Sequence, residues 1–131
     1  DAPSREECTI GRTISNTPLQ ALVLLNDPTY VEAARAFAQR VMAEGGESSD
    51  ARIALAYHYA LSRDPDAEEL ELIRNLYHRH LMEYTENPDA AHALLETGLA
   101  PVPEGINEID LAAWTSVTRV ILNLHETITR S

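Results

Sequence analysis

Apolar residues recur along the chain at spacings of three and four, which is the pattern of helices that bury one face. Such stripes predict helices over about 28–43, 51–62, 67–86 and 111–124 or a turn longer. A short further helix is predicted to start at Asn87-Pro88 and to run to Thr97-Gly98. No segment alternates apolar and polar residues cleanly enough to predict a strand. The strongest stripe, in the last helix, consists of Trp114, Val117, Ile121, Leu124 and Ile128.

A further helix is predicted over about 18–25. Thr17, Pro18 and Gln20 form a helix start, in which the Thr17 hydroxyl accepts a hydrogen bond from the backbone and Gln20 reaches back to the cap. Leu19 opens a run, continued by Leu22, Val23, Leu24 and Leu25, that is apolar on every side, so we expect other helices to surround this segment. The pattern as a whole predicts an all-α fold, a compact bundle of about six helices with short loops.

Polar residues and prolines mark the helix ends. The predicted caps are Asp27 before Pro28, Ser49 or Asp50, the Asp66–Glu69 capping box, Asn87 before Pro88, and Asp110. Residues 1–16 show neither helical nor strand periodicity and are interpreted as an extended arm, and residues 99–109, with two prolines and a glycine, as a long loop. We expect residues 1–131 to form a single helical domain. Because the chain begins at Asp1 without a methionine, we also expect it to be a fragment of a longer protein.

Composition narrows the function classes. Ten basic against twenty-one acidic residues give a net charge of −11, which disfavours nucleic-acid partners and anionic lipid surfaces. No apolar run approaches the roughly 18 residues of a membrane span, so no membrane insertion is predicted. Cys8, the one cysteine of the sequence, excludes an internal disulfide and a haem attachment motif within this chain.

The first candidate site is the arm, where Arg5, Arg12, Asn16 and Thr17 precede a predicted helix N-terminus. Arginines are scarce in so acidic a chain, and helix N-termini attract anions, so a carboxylate or a sulfated sugar is a candidate ligand. The alternative is that the two arginines pair with acidic residues and that Thr17 serves as a cap.

Other polar and aromatic residues indicate structural roles. His78 and His80 point about 200° apart on a helix, and no zinc-ligand spacing occurs, so no metal and no cofactor is predicted. Cys8 lies beside Glu6 and Glu7, whose charge raises a thiol pKa, so a buried small apolar side chain is favoured over a nucleophile.

The aromatic residues and the polar residues near the end of the sequence are also predicted to have structural roles. Trp114, Tyr57, Tyr77 and Tyr84 lie on apolar stripes, which favours the core over stacking on sugars, whereas Tyr59 lies off its stripe. In the tail, capping and surface pairing are the default roles of Asn123, His125, Glu126 and Arg130.

Several motifs carry a resemblance to a known family. They are R-E-x-C-T near the start, N-T-P-L-Q-A-L-x-L-L-N-D-P through residue 28, A-A-W-T at 112–115, and L-N-L-x-E-x-I-T-R at 122–130. Over nearly the whole chain they resemble the C-terminal part of the planctomycete-specific domain of unknown function called planctomycete PSD one. The resemblance implies a planctomycete source, export from the cytoplasm, a preceding part of the same domain, and frequent association with a cytochrome-c-like domain. It supplies no reaction and no catalytic residue, and the family usually has Asp where this chain has His125.

Two hypotheses of function follow. In the first, the chain is a non-catalytic helical interaction or structural module that packs on the remaining part of its polypeptide or on another protein. In the second, it forms one wall of an enzyme site, polysaccharide-active or coupled to haem redox chemistry, that the remaining part completes. A small hydrolase acting alone is less favoured, because no Ser-His-Asp pattern and no paired carboxylates stand out.

Overall fold

The computed structural model describes residues 28–97 and 101–130, with side chains as far as residue 125. These residues form five helices and no strand, so the described part of the chain is all-α, as predicted. In chain order the helices are α1 (Pro28–Glu44), α2 (Ser49–Leu61), α3 (Ala67–Glu86), α4 (Pro88–Leu95) and α5 (Glu108–Arg130). The predicted arm, the predicted helix at about 18–25 and the predicted cap Asp27 lie outside the described residues.

Two of the predicted helix starts have the expected hydrogen bonds. At α3, the Glu69 amide donates to Asp66 Oδ1 at 2.8 Å and the Asp66 amide donates to Glu69 Oε1 at 2.9 Å. This reciprocal pair is the predicted capping box. At α4, Asn87 Oδ1 accepts from the Ala90 amide at 3.4 Å, and Pro88 is the first helical residue.

Two other predicted caps were wrong. The cap of α2 is Ser48, whose hydroxyl accepts from the Ala51 amide at 3.3 Å, and neither Ser49 nor Asp50 takes that place. The cap of α5 is Asn107, whose Oδ1 accepts from the Asp110 amide at 3.0 Å. Asp110 therefore lies inside the first turn, and α5 begins earlier than predicted. Where several short polar residues adjoin, each is chemically able to cap, and the backbone path decides which one does.

The core is built around α5. Residues 111–118 of this helix are buried on every side, although its sequence predicted one buried strip. Small side chains explain the difference, because Ala112, Ala113 and Ser116 let the neighbouring helices approach faces that carry no large apolar group. All four other helices contact α5, and α1 and α3 make the most extensive contacts with it. Four residues of the predicted stripe lie in this core, with Trp114, Val117 and Ile121 fully buried and Leu124 3% exposed. The side chain of Ile128, the fifth, is outside the described part.

Buried polar groups connect helices that are distant in sequence. The Thr118 hydroxyl donates to the backbone carbonyl of Ala34 on α1 at 2.8 Å. Arg35 is 3% exposed, and its Nη1 donates to the carbonyl of Leu95 at the end of α4 at 2.7 Å. Buried polar groups destabilise a fold when they have no hydrogen-bond partner, and these two hydrogen bonds supply the partners. They also set the register of α1 against α4 and α5.

The longest helix of the described part is α5, at 23 residues, and it carries acidic residues in its first turn. None of the described helices combines the length and the apolar character needed to cross a membrane.

Candidate functional site

A polar cluster that joins several helices centres on Asp110, in the first turn of α5. We call Asp110, Arg52, Tyr77 and Trp114 the Asp110 cluster. The Asn107 cap orients this turn by accepting from the Asp110 amide. A carboxylate in a first turn is stabilised by the free amides and the partial positive charge of the helix N-terminus.

Arg52 reaches the cluster from α2 across the end of α1. Its Nε donates to the Gly46 carbonyl at 2.6 Å and its Nη2 to the Met42 carbonyl at 3.4 Å. The guanidinium thus meets carbonyls at the C-terminus of α1, where cations are favoured. Gly45 makes this approach possible, because a Cβ atom at that position would lie 2.9 Å from Arg52 Cγ.

Three helices converge on the Asp110 carboxylate. The Tyr77 hydroxyl, on α3, donates to Asp110 Oδ1 at 2.6 Å. Arg52 Nη1 lies 3.5 Å from Asp110 Oδ2. The Tyr77 ring stacks on Trp114 with ring centroids 4.4 Å apart, and the Arg52 guanidinium lies 5.7 Å from the centroid of the same indole. The cluster therefore joins the end of α1, α2, α3 and α5 at one point.

The electrostatics of the cluster keep the phenol protonated. Burial, and then the hydrogen bond to Asp110, raise the pKa of Tyr77 well above its ordinary value. Trp114 lies close to the Tyr77 hydroxyl and lowers the pKa of Tyr77 slightly, against the larger effect of burial. Within the described residues the buried Trp114 N–H has no hydrogen-bond acceptor in good geometry. A phenol held as a donor to a carboxylate is not a base near neutral pH, so these groups hold helices together more readily than they move protons.

A second group of side chains lies at the surface of α1 and α2. We call Phe37, Arg40, Glu44 and Tyr59 the Tyr59 patch. Tyr59 is 41% exposed, and the Arg40 guanidinium lies 4.3 Å from the centroid of its ring. The Phe37 and Tyr59 ring centroids are 6.5 Å apart.

The Glu44 carboxylate holds the Tyr59 hydroxyl and the Arg40 guanidinium in place. It accepts a hydrogen bond from the Tyr59 hydroxyl and another from Arg40 Nε, the latter at 3.0 Å. These two hydrogen bonds lower the pKa of Glu44, so the carboxylate is ionised at neutral pH. The patch presents an aromatic pair, a cation and an anion in a defined arrangement.

The chain is similar to a known protein family over its first 77 residues. A family model described as PSD1, protein of unknown function (DUF1553), matches residues 1–77. The match covers more than half of the 131 residues. The chain belongs to the PSD1 family. Comparisons with curated proteins and with solved structures gave no match.

The PSD1 match includes the whole Tyr59 patch but divides the Asp110 cluster. Arg52 and Tyr77 fall within it, and Tyr77 is its last residue, whereas Asp110 and Trp114 lie beyond it. The matched residues of α1 and α3 bury their apolar stripes against α5, which also lies beyond the match.

The ligand site predicted for this PSD1 chain consists of residues near the start of the sequence. Arg5, Arg12, Asn16 and Thr17 lie outside the described residues, and so does Cys8. The proposed anion site on the arm stays a prediction.

The aromatic predictions can be compared with the structure. Trp114 and Tyr57 are fully buried, and Tyr84 is 8% exposed, in agreement with their positions on apolar stripes. Tyr77 is partly buried, and Tyr59 is exposed, as its position off the stripe indicates.

The histidines of α3 occupy different environments. His78 is exposed, whereas His80 is half-buried and stacks on Tyr84 with ring centroids 5.9 Å apart. Burial lowers the pKa of His80. The part of the chain that the structure describes contains no group of three or more His, Cys, Asp or Glu residues placed to hold a metal ion.

In the tail, Asn123 is 4% exposed, so it is a core residue and not the surface residue that was predicted. His125 lies at the surface, and the side chains of Glu126 and Arg130 are outside the described part.

Sequence reasoning missed the Asp110 cluster as a cluster. It assigned Asp110 to a cap and Tyr77 to the core, and it gave Arg52 no role. The hydrogen-bonded pairs are 58 and 33 residues apart in the chain, so no local spacing announces them. An acidic residue early in a helix was the one available signal.

Proposed function

We propose that the chain is a non-catalytic helical module that binds the remaining part of its polypeptide, or another protein, through the Tyr59 patch. The observation that carries the proposal is the exposed arrangement of Tyr59 and Arg40, because tyrosine and arginine are enriched at the centres of protein interfaces. The side chains of Arg40 and Glu44 are 58% and 44% exposed, which leaves the patch open to a partner.

The internal contacts of the Tyr59 patch support this role. Glu44 and Arg40 restrain the Tyr59 ring before any partner arrives. A side chain that is already ordered loses less conformational entropy on binding, so each contact contributes more to affinity.

The contacts within the Asp110 cluster support a non-catalytic role. Its carboxylate already interacts with Tyr77 and Arg52, and Arg52 also bonds two backbone carbonyls. Polar groups that are engaged in joining helices are not available to substrate.

We also propose that residues 1–131 fold as one domain that extends beyond the family match. The described stripes of α1 and α3 need α5 to cover them, and α5 begins after residue 77. Residues 1–77 alone are therefore expected to lack the cooperative unfolding of the 131-residue chain. Equal cooperativity in urea, followed by far-UV circular dichroism, would contradict the single-domain proposal.

The family resemblance further supports export from the cytoplasm in a planctomycete host, and cell fractionation with an antibody against the chain tests this. A location in the cytoplasmic fraction would remove that part of the proposal.

Site-specific photo-crosslinking tests the binding role. A benzophenone amino acid replaces Tyr59 in the full gene product, and, as a control, Met82, which is 64% exposed on α3. We expect peptide-mapped crosslinks from position 59 to one defined segment outside this chain, and none to that segment from position 82. Indistinguishable crosslinks from the two positions would count against the patch.

Matched alanine variants test the energetics. Arg40→Ala and Tyr59→Ala are expected to weaken binding of the crosslinked segment, as a synthetic peptide, by about tenfold or more, as interface anchors do. Arg79→Ala, an exposed arginine on α3, is the control and should leave affinity unchanged. Equal affinities for all three variants would refute the proposed interface.

A further inference from the structure

His92 lies between two carboxylates that belong to different parts of the fold. Its Nε2 is 2.9 Å from Glu96 Oε2, at the end of α4. Its Nδ1 is 3.3 Å from Glu108 Oε1, at the first residue of α5. The imidazole therefore spans the connection between the two helices.

The position of the ring between two carboxylates favours the doubly protonated imidazolium. A neutral imidazole carries one N–H and can donate to one carboxylate, while its other nitrogen would face the second carboxylate with a lone pair. The imidazolium carries two N–H groups and can donate to both. The hydrogen bond to Glu108 and the charge of Glu96 accordingly raise the pKa of His92.

The charged groups that act on His92 are few and identified. Glu108, at the start of α5, and Glu96, at the end of α4, both raise the pKa of His92. Within the described residues, no charged side chain of α1, α2 or α3 shifts the protonation of His92. On another side of the same α5 turn, the Asp110 carboxylate accepts a hydrogen bond from the Tyr77 hydroxyl and lies 3.5 Å from Arg52 Nη1.

We propose that His92, Glu96 and Glu108 form a proton-operated latch that fixes the end of α4 to the start of α5. Because the folded pKa of His92 is raised, the stabilisation is complete below the ordinary histidine pKa of about 6.5 and is lost as pH rises through the folded value. This device is independent of the Tyr59 patch and of its binding role.

Hydrogen exchange followed by NMR tests the latch at four amides. Those of Glu96 and Thr97 bond carbonyls of α4, and those of Asp110 and Leu111 bond Asn107. In the 131-residue chain, protection factors corrected for intrinsic exchange are expected to be about two- to fivefold higher at about pH 5.5 than at about pH 8.

Three variants assign the effect. His92→Gln and Glu108→Gln are expected to abolish the pH-dependent difference at the α5 amides, whereas His58→Gln, at an exposed histidine on α2, should retain it. Equal protection at both pH values in the unmodified chain would overturn the proposal, and so would an unchanged difference in His92→Gln. A difference that is lost in His92→Gln but kept in Glu108→Gln would overturn the connection between the two helices.

Discussion

Replacing Tyr77 or Tyr57 by phenylalanine removes one hydroxyl from a helix of the core, and the two changes are expected to shift stability in opposite directions. Tyr77 donates to Asp110 at 2.6 Å. Tyr57 is fully buried, and in the described part of the chain its hydroxyl has no hydrogen-bond partner. The pair therefore tests whether hydrogen bonding or burial decides the effect of the same substitution.

The magnitudes follow from the surroundings of each hydroxyl. A hydrogen bond to a charged group contributes about 1.5–3 kcal/mol to stability. Because the Asp110 side chain is 26% exposed, water can partly replace the lost hydrogen bond in the variant. Tyr77→Phe should therefore cost about 1–2 kcal/mol. Burying an unsatisfied hydroxyl costs about 1–3 kcal/mol. Tyr57→Phe removes that cost but weakens the contact with Arg63, which lies 5.4 Å from the ring centroid, and should stabilise by about 0.5–2 kcal/mol.

Urea unfolding followed by circular dichroism measures both changes, provided that the slope with denaturant stays constant. A double-mutant cycle of Tyr77→Phe with Asp110→Ala should give a coupling energy of about 1–2 kcal/mol, because the shared hydrogen bond is lost once. A Tyr77→Phe chain as stable as the parent, or a Tyr57→Phe chain destabilised as much as Tyr77→Phe, would refute the reasoning.

Three further outcomes are expected. Gly45→Ala should cost about 1–3 kcal/mol in urea unfolding, because its Cβ would lie 2.7 Å from the Val41 carbonyl oxygen and 2.9 Å from Arg52 Cγ, and a cost below about 0.5 kcal/mol would contradict this. Glu69→Gln should cost about 2–4 kcal/mol, since Glu69 is 2% exposed and its carboxylate bonds Arg63 at 2.7 Å, whereas Glu68→Gln at an exposed position should stay within about 0.5 kcal/mol. Burial raises the pKa of Tyr57 and of Tyr77, so ionisation of either phenol disfavours the folded state, and the stability of the chain should fall as pH rises above the unfolded value of about 10. Each phenylalanine variant should therefore lose stability less steeply than the parent above about pH 10 in alkaline unfolding, and parallel losses would contradict this.

The sequence by itself determined the features that depend on neighbouring residues. The stripes of α1, α2, α3 and α5 and the Asp66–Glu69 capping box were predicted from spacings of three and four, and the Asn87 cap was predicted from the proline that follows it. These features are readable because a helix and its cap form between residues less than one or two turns apart. The all-α class follows from them.

The tertiary structure decided which polar residues meet and which helix lies at the centre. Ser48 and Asn107 cap α2 and α5 in place of equally suitable neighbours, since the path of the preceding loop selects among them. The burial of residues 111–118 on all sides and the convergence of Arg52 and Tyr77 on Asp110 depend on how the helices pack. Small residues on α5 permit that packing, but they do not predict it, because alanine and serine are found on both exposed and buried helix faces. Contacts between residues tens of positions apart leave no periodic pattern in the sequence.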